Sequence, residues 1–461
     1  MLFIHKGVNM YKKYFNEDGL IKAYQKIKIG KLSTGIDRVN RATFEKLKGQ
    51  ALKEVSNKIL NGTYFPTPYR EVLIVKNAES CPRRLSIPTI RDKIIMEVLK
   101  EILKDKYTPI IEEETVPDIV CKIGGVIKSK KYDGYIKLDI KGYYDCIVHD
   151  TLLKRVKQTI NSSFVVNLVS LFIKNITIAD GSKKEGREKS NNLGVPQGIS
   201  ISNILGNIYL KPLDSRYYKS KGIVYFRYVD DILVFCKYSK IEETLNKIIS
   251  VLGSKEFELS INSKKEYGEI KEFNFLGYNF DENGVIGIAD KNIKKIENSL
   301  EKIFSDFRSS HDKRIKGNYD LLEWKLNFRI TGCFKDKKRY GWVIFFSRNE
   351  REIIMHHLDW LVVKLCKRFG VDALLNKDGE FIGKSFVKTY IEYSTKQDNT
   401  KYIPTIDNFS STEKRYILHK VCHRNYKWVH SLPLYLLEKE FDRFIFSSIR
   451  DIEKDLNQIY G

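Results

Sequence analysis

Apolar side chains recur at helical spacing through residues 41–60 (RATFEKLKGQALKEVSNKIL) and stop at the breaker Asn61-Gly62, which predicts a helix. Residues 69–75 read as a short extended stretch, and Pro88 begins a helical pattern that runs to Leu103. Alternation over residues 135–140 predicts a strand, and 151–174 predicts a helical stretch interrupted near its middle by Asn161-Ser162-Ser163. Residues 223–236 (IVYFRYVDDILVFC) hold two apolar half-strands joined at paired aspartates, the pattern of a β-hairpin with carboxylates at its tip. Beyond Asp290 the period turns helical, with Ile293, Ile296, Leu300, Ile303, Phe304 and Phe307 in register. Ser347 with Glu350 three residues on reads as a capping box, opening a helix that carries Ile354, Leu358, Leu361, Leu365 and Phe369 on one face. The expected order is mixed α/β first and all-helical afterwards.

Composition adds a partner class. The 461 residues carry 81 Lys+Arg against 58 Asp+Glu, a formal net charge of +23, while 42% are hydrophobic. That apolar content excludes a disordered basic tail, and at roughly 100–200 residues per domain the length suggests several domains. The charge attracts polyanions, nucleic acid foremost; a general lysine bias is the bland account of it. Seven scattered cysteines without a CxxC pair read as reduced thiols in a cytosolic protein rather than a disulfide framework or zinc finger. Neither a secretory signal nor an apolar run of about 18 residues is evident, so a cytoplasmic protein without a membrane partner is expected.

The segment Tyr228-Val229-Asp230-Asp231 sets adjacent carboxylates between apolar strands, where mutual repulsion and desolvation favour a bound cation. Hard oxygen ligands point to Mg²⁺. Alone, the motif reads more readily as a solvated turn than as a metal site. Upstream, Asp139 closes the strand of residues 135–140, and between the two lies a Gly/Pro-punctuated turn, Gly194-Val-Pro-Gln-Gly, feeding a helix. Three carboxylates can hold two Mg²⁺ ions, with Mn²⁺ the alternative, one activating a hydroxyl and one bridging triphosphate oxygens.

In order and spacing these segments resemble the motifs of reverse transcriptases, especially the bacterial lineage that includes group II intron enzymes. RRLSIPTIRDK (83–93) is similar to the second block, DIKGYYD (139–145) to motif A, GVPQGISIS (194–202) to motif B and YVDD (228–231) to motif C. LSINSKK (259–265) resembles motif D, FNFLGY (273–278) the motif E primer grip, and GID (35–37) with YFPTPYREVLIVK (64–76) the first block. The resemblance implies an α/β (α+β) right-hand polymerase: fingers over 1–130, palm over 131–285, a helical thumb over 286–370 and a mainly helical C-terminal extension over 371–461. It implies RNA-directed DNA synthesis with an RNA template, a DNA or RNA primer and dNTPs as partners. Asp139, Asp230, Asp231 and the Ile140 carbonyl would bind the metals. Tyr144 falls at the steric gate against ribose 2′-hydroxyls, Lys76 and Arg83 at the triphosphate, and Gln197 near the nascent pair. Lys265 occupies the motif D lysine that protonates pyrophosphate, with Lys264 beside it leaving the assignment open, and Phe275, Leu276 and Gly277 form the primer grip. A core aromatic, solvated charges and an ordinary strand end are the bland readings of Tyr144, of Lys76 with Arg83, and of the FLG triplet.

The sequence departs from relatives where Arg84 replaces a proline, where IEEETVPDIVCKIGGVIKSKK (111–131) stands in place of the SYGFRPGR-like stretch, and in lacking a Val-Thr-Gly after motif E. With no Cys-rich endonuclease segment after the thumb, these departures favour a free-standing, defence-associated enzyme with a dedicated non-coding RNA template. A maturase-like RNA-binding protein and a retron-type enzyme are the alternatives. Lys291, Lys294, Lys295 and Lys302 lie where a thumb helix tracks a duplex, or else line a solvated face. KRYILHKVCHRNYKWVH (414–430) interleaves cations with aromatics, placing Arg424 and Trp428 among candidate nucleic-acid contacts. Packing on the thumb, a homo-oligomer contact or a partner-protein surface explains that stretch equally well, and His419, Cys422 and His423 lack the fourth ligand of a zinc site.

Overall fold

The computed structural model describes residues 10–27, 33–75, 82–109, 114–179, 190–263, 265–312, 315–454 and 456. The chain divides into two compact units, one of residues 1–113 and 132–269, the other of 114–131 and 270–461. No helix among the described residues is long and apolar enough to cross a membrane.

The first unit begins with helices α1 (Glu17–Ile27) and α2 (Arg41–Leu60). The Asn40 side chain caps α2 by accepting from the Thr43 amide, and the helix ends at the expected Asn61-Gly62. Strands β1 (Tyr69–Ile74) and β2 (Arg83–Ile87) pair antiparallel, and helix α3 (Ile90–Lys106) follows. Pro88 lies just ahead of this helix rather than in its first turn: Thr89 is the cap, its hydroxyl accepting from the Asp92 amide. Helix α4 (Val116–Lys128) belongs to the second unit.

The chain then returns as β3 (Gly134–Asp139), α5 (His149–Ile160), α6 (Ser163–Ile173), β4 (Thr177–Ile178), α7 (Ser202–Tyr217), β5 (Val224–Tyr228), β6 (Asp231–Cys236), α8 (Ile241–Leu252) and β7 (Glu266–Glu269). Strands β5, β6, β3 and β7 form one antiparallel sheet in that order. β3 and β6 are its central strands; β6 is a continuous apolar run after Asp231, whereas β3 alternates and carries Lys137 and Asp139. A single core joins residues of α1–α3, the sheet and α5–α8, from Tyr11 to Leu259.

In the second unit, β8 (Glu272–Phe275), β9 (Tyr278–Asp281) and β10 (Ile286–Ile288) form a meander. α4 lies against it at Gly124, where a Cβ would stand 3.0 Å from the Ile286 side chain. Helices α9 (Asp290–Ser309) and α10 (Tyr319–Thr331) precede a hairpin of β11 (Cys333–Lys335) and β12 (Lys338–Tyr340), so this half is not all-helical. After α11 (Trp342–Phe345) comes α12, which spans Ile353–Arg368 and does not start at Ser347. Glu350 makes no capping box: its carboxylate accepts from the Ile286 amide at 3.1 Å and from Lys128 Nζ at 2.7 Å. The capping box of this region is Ser410 with Glu413, at the head of a short helix, Ser411–Tyr416.

The final helix, Leu434–Glu453, answers how the C-terminal stretch is held. Leu437, Phe441, Ile445 and Ile449 share a core with Leu321 and Phe328 of α10, and Trp324 packs on both Phe328 and Phe444. The helix is amphipathic because its apolar residues repeat every three or four positions and face that core.

Candidate active site

β3 ends at Asp139 and β6 begins at Asp231, and the antiparallel register sets these two residues directly opposite each other. Val229 and Asp230 form the turn between β5 and β6, and the Ile140 amide donates to the Asp230 carbonyl at 3.3 Å. Asp139, Asp230, Asp231 and Ile140 thus occupy neighbouring backbone positions at one end of the sheet. The donors are all oxygens on neighbouring chain positions, a set suited to a hard divalent cation. Among the described residues no three His, Cys, Asp or Glu already converge on one ion position. Asn262, which the sequence reading passed over, holds Asp139 twice: its side-chain amide donates to Oδ2 at 2.8 Å, and its backbone amide donates to the Asp139 carbonyl at 2.8 Å.

A 3₁₀ turn, Tyr143–Cys146, follows β3 and carries Tyr144. The Tyr144 ring is half-buried, 5.2 Å from the Tyr143 ring. Burial, followed by the charge of Asp230, pushes its phenol up to about 12, so it is neutral near pH 7. On α7, Gly206 makes room for both rings, since a Cβ there would lie 3.1 Å from Tyr143 and 3.3 Å from Tyr144.

The Pro-Gln-Gly turn is fastened to the same place. The Val195 amide donates to the Tyr144 carbonyl at 2.7 Å, and the Gln197 side-chain amide stands 3.4 Å from both Asp145 oxygens. Gly194 adopts φ +82°, and a Cβ there would come within 2.8 Å of the Asp145 carbonyl oxygen. The Ser86 amide donates to the Gln197 carbonyl at 2.7 Å, tying β2 to the turn.

Arg83 opens β2 opposite Ile74 and is half-buried. Arg84 is engaged, with Nε 2.6 Å from Glu71 Oε1. Lys76 and Lys264 lie outside the described residues. Lys265 is exposed, its ammonium 6.0 Å from the Tyr267 ring centroid.

The remaining candidates belong to the second unit. Phe275, Leu276 and Gly277 are buried; Leu276 (φ +48°) and Gly277 (φ +83°) form the tight turn between β8 and β9. The Gly277 carbonyl accepts from the Ala289 amide and the Asn292 side chain, which fixes the turn to the head of α9. Lys291, Lys294 and Lys302 are exposed on α9, whereas Lys295 is half-buried. Arg424 stacks over Trp428 with its guanidinium 5.8 Å from the ring, and Trp428 is exposed. His419 Nδ1 pairs with the Arg424 carbonyl, and burial pushes the Cys422 thiol up to about 12.

Residues 74–280 match the family described as "Reverse transcriptase (RNA-dependent DNA polymerase)". This segment is a reverse transcriptase domain. The domain is related to those of group II intron-encoded proteins: the chain is 28% identical over 211 residues to the group II intron-encoded protein LtrA of Lactococcus lactis subsp. cremoris, covering 44% of this chain and 34% of LtrA. It is 30% identical over 211 residues to the putative COX1/OXI3 intron 1 protein of Saccharomyces cerevisiae, covering 43% and 24%. Protein YkfC of Escherichia coli is 25% identical over 295 residues, 54% of this chain and 76% of YkfC. The chain thus spans about a third of LtrA's length. The α/β right-hand polymerase class expected from the motifs is that of the reverse transcriptase family.

Proposed function

We propose that the chain is an RNA-directed DNA polymerase, in which the 3′-oxygen of a primer bonds to the α-phosphorus of a dNTP as the bond to the bridging oxygen breaks and pyrophosphate leaves. The observation that carries the reading is the register of Asp139 against Asp231 with Asp230 in the adjoining turn, inside a reverse transcriptase domain. Asp139, Asp230, Asp231 and the Ile140 carbonyl would hold two divalent ions, Mg²⁺ or Mn²⁺. When bound, these lower the pKa of the attacking hydroxyl and neutralise charge on the triphosphate.

In the same reading the Tyr144 ring excludes a ribose 2′-hydroxyl, and Gln197, held beside Asp145, lies along the nascent pair. Arg83 and Lys76 neutralise the triphosphate, and Lys265 protonates the leaving pyrophosphate. Phe275, Leu276 and Gly277 steady the primer, with residues 1–130 acting as fingers, 131–285 as palm and 286–370 as thumb. Lys291, Lys294 and Lys295 track the duplex. Arg424 and Trp428 contact unpaired template. A non-coding RNA template, a cytoplasmic location and a role in antiphage defence are the finer parts of the proposal; the internal departures from relatives at Arg84 and residues 111–131 support the defence reading.

Asp230→Asn is the test. It is expected to abolish metal-dependent dNTP incorporation on an RNA template with the fold intact by circular dichroism, and unchanged incorporation would refute the assignment. Sequencing the nucleic acid that copurifies with the chain from its host tests the template: a single non-coding RNA is expected, and flanking intron RNA would favour the maturase reading instead.

A further inference from the structure

The catalytic turn is strained. Val229 sits at φ +57°, the left-handed region, where a β-branched side chain crowds its own backbone. Asp230 beside it is not in that region, so the two-residue turn has its positive φ at the first central position, a slot that favours glycine. Something outside the turn must hold it.

Arg227 is placed to do so. It occupies an inward-facing position of β5, where alternation with Tyr225 calls for an apolar side chain. Its guanidinium donates through Nη1 to the Val229 carbonyl at 2.8 Å and to Asn207 Oδ1 at 3.3 Å. Its Nε and Nη2 meet the two carboxylate oxygens of Asp214, on α7, at 2.7 and 2.6 Å. Asp214 also accepts from the Tyr225 hydroxyl at 3.2 Å. The Arg227 and Asp214 side chains are 5% and 1% exposed. A buried ion pair is a poor source of stability, because desolvation offsets most of the attraction and apolar replacements often match or exceed it. Its presence beside a strained turn therefore calls for a reason other than stability.

We propose that Arg227, anchored by Asp214, is a positioning residue that clasps the Val229 carbonyl and so sets the backbone from which Asp230 and Asp231 reach their metal ions. The proposal rests on the polymerase reading of the same site. Burial would lower the guanidinium's pKa, but the hydrogen bonds and charge of Asp214 outweigh it and keep Arg227 ionised. Arg rather than Lys is required, since only a planar fork addresses a carboxylate bidentately and a third acceptor at once.

The test is a pair swap, Arg227→Met with Asp214→Leu, which leaves no unpaired buried charge and so preserves folding. Mn²⁺ binding to the full chain is followed by electron paramagnetic resonance, alongside the metal dependence of dNTP incorporation. Supporting groups around metal ligands typically influence affinity by about 10–100-fold, so the double variant is expected to bind Mn²⁺ about 10–100-fold more weakly than the native chain at an equal melting temperature. Adding Val229→Gly, which removes the strain, is expected to recover part of that loss. A double variant that folds and binds Mn²⁺ like the native chain would overturn the clasp while leaving the polymerase reading intact. If native binding is indifferent to Asp230→Asn, both fail. Should the double variant prove unfolded, Arg227→Lys decides by the same readout: unchanged Mn²⁺ affinity in its folded fraction refutes the proposal.

Discussion

Asp139 and Asp231 stand directly opposite one another on β3 and β6, two carboxylates paired across an antiparallel ladder. Like charges so placed oppose folding, and in the proposed function that cost is offset when cations bind.

Asp139→Asn is accordingly expected to raise the melting temperature in the presence of a chelator while ending incorporation. Thermal melts with and without added Mg²⁺ check this. Excess Mg²⁺ should stabilise the native chain and not the variant, and a variant that melts lower in chelator would contradict the repulsion argument.

Asn262→Ala removes the side-chain donor to Asp139 Oδ2 but leaves the backbone bond between the same residues. Outer partners of ligating carboxylates are worth about 10–100-fold in metal affinity or activity. The metal concentration giving half-maximal rate should rise within that range, with little change in melting temperature. A change confined to dNTP KM would assign Asn262 elsewhere.

Tyr144→Ala should relax discrimination against rNTPs, whereas Tyr144→Phe should not, because the ring and not the hydroxyl fills the gate. Its phenol is raised to about 12, so the neutral form prevails up to that pH in the folded chain and discrimination should stay flat from pH 6.5 to about 9. Comparable use of dNTPs and rNTPs by the native protein would defeat the gate assignment.

The C-terminal stretch separates structural from binding roles. Phe441→Ala, in the core shared with α10, should cost about 3–5 kcal/mol. Trp428→Ala should leave the melting temperature nearly unchanged yet weaken single-stranded RNA binding by about 1–3 kcal/mol, read by fluorescence anisotropy. Arg424→Ala should flatten the salt dependence of that binding. Equal RNA affinity in both variants would leave the patch to a protein partner.

Much of this was legible in the order of residues. The helix over 41–60, the hairpin around Asp230-Asp231 and the strand ending at Asp139 follow from period, breakers and spacing, which act within a few residues and need no tertiary partner. The ordered motifs identified the family for the same reason: spacing along the chain is preserved in folding. Local rules failed where a distant group competed for the same atoms. Glu350 had the position of a capping residue, but the Ile286 amide and Lys128 claim its carboxylate, so the helix begins at Ile353. Arg227 is one polar residue in an otherwise apolar half-strand, and only the packing of α7 brings Asp214 to it and turns its third donor onto Val229. The sequence by itself determined which carboxylates the chain carries and in what order. Their facing register, the strained turn and the residues that hold it were decided by tertiary structure, because hydrogen bonds between distant segments exist only once the core has brought those segments together.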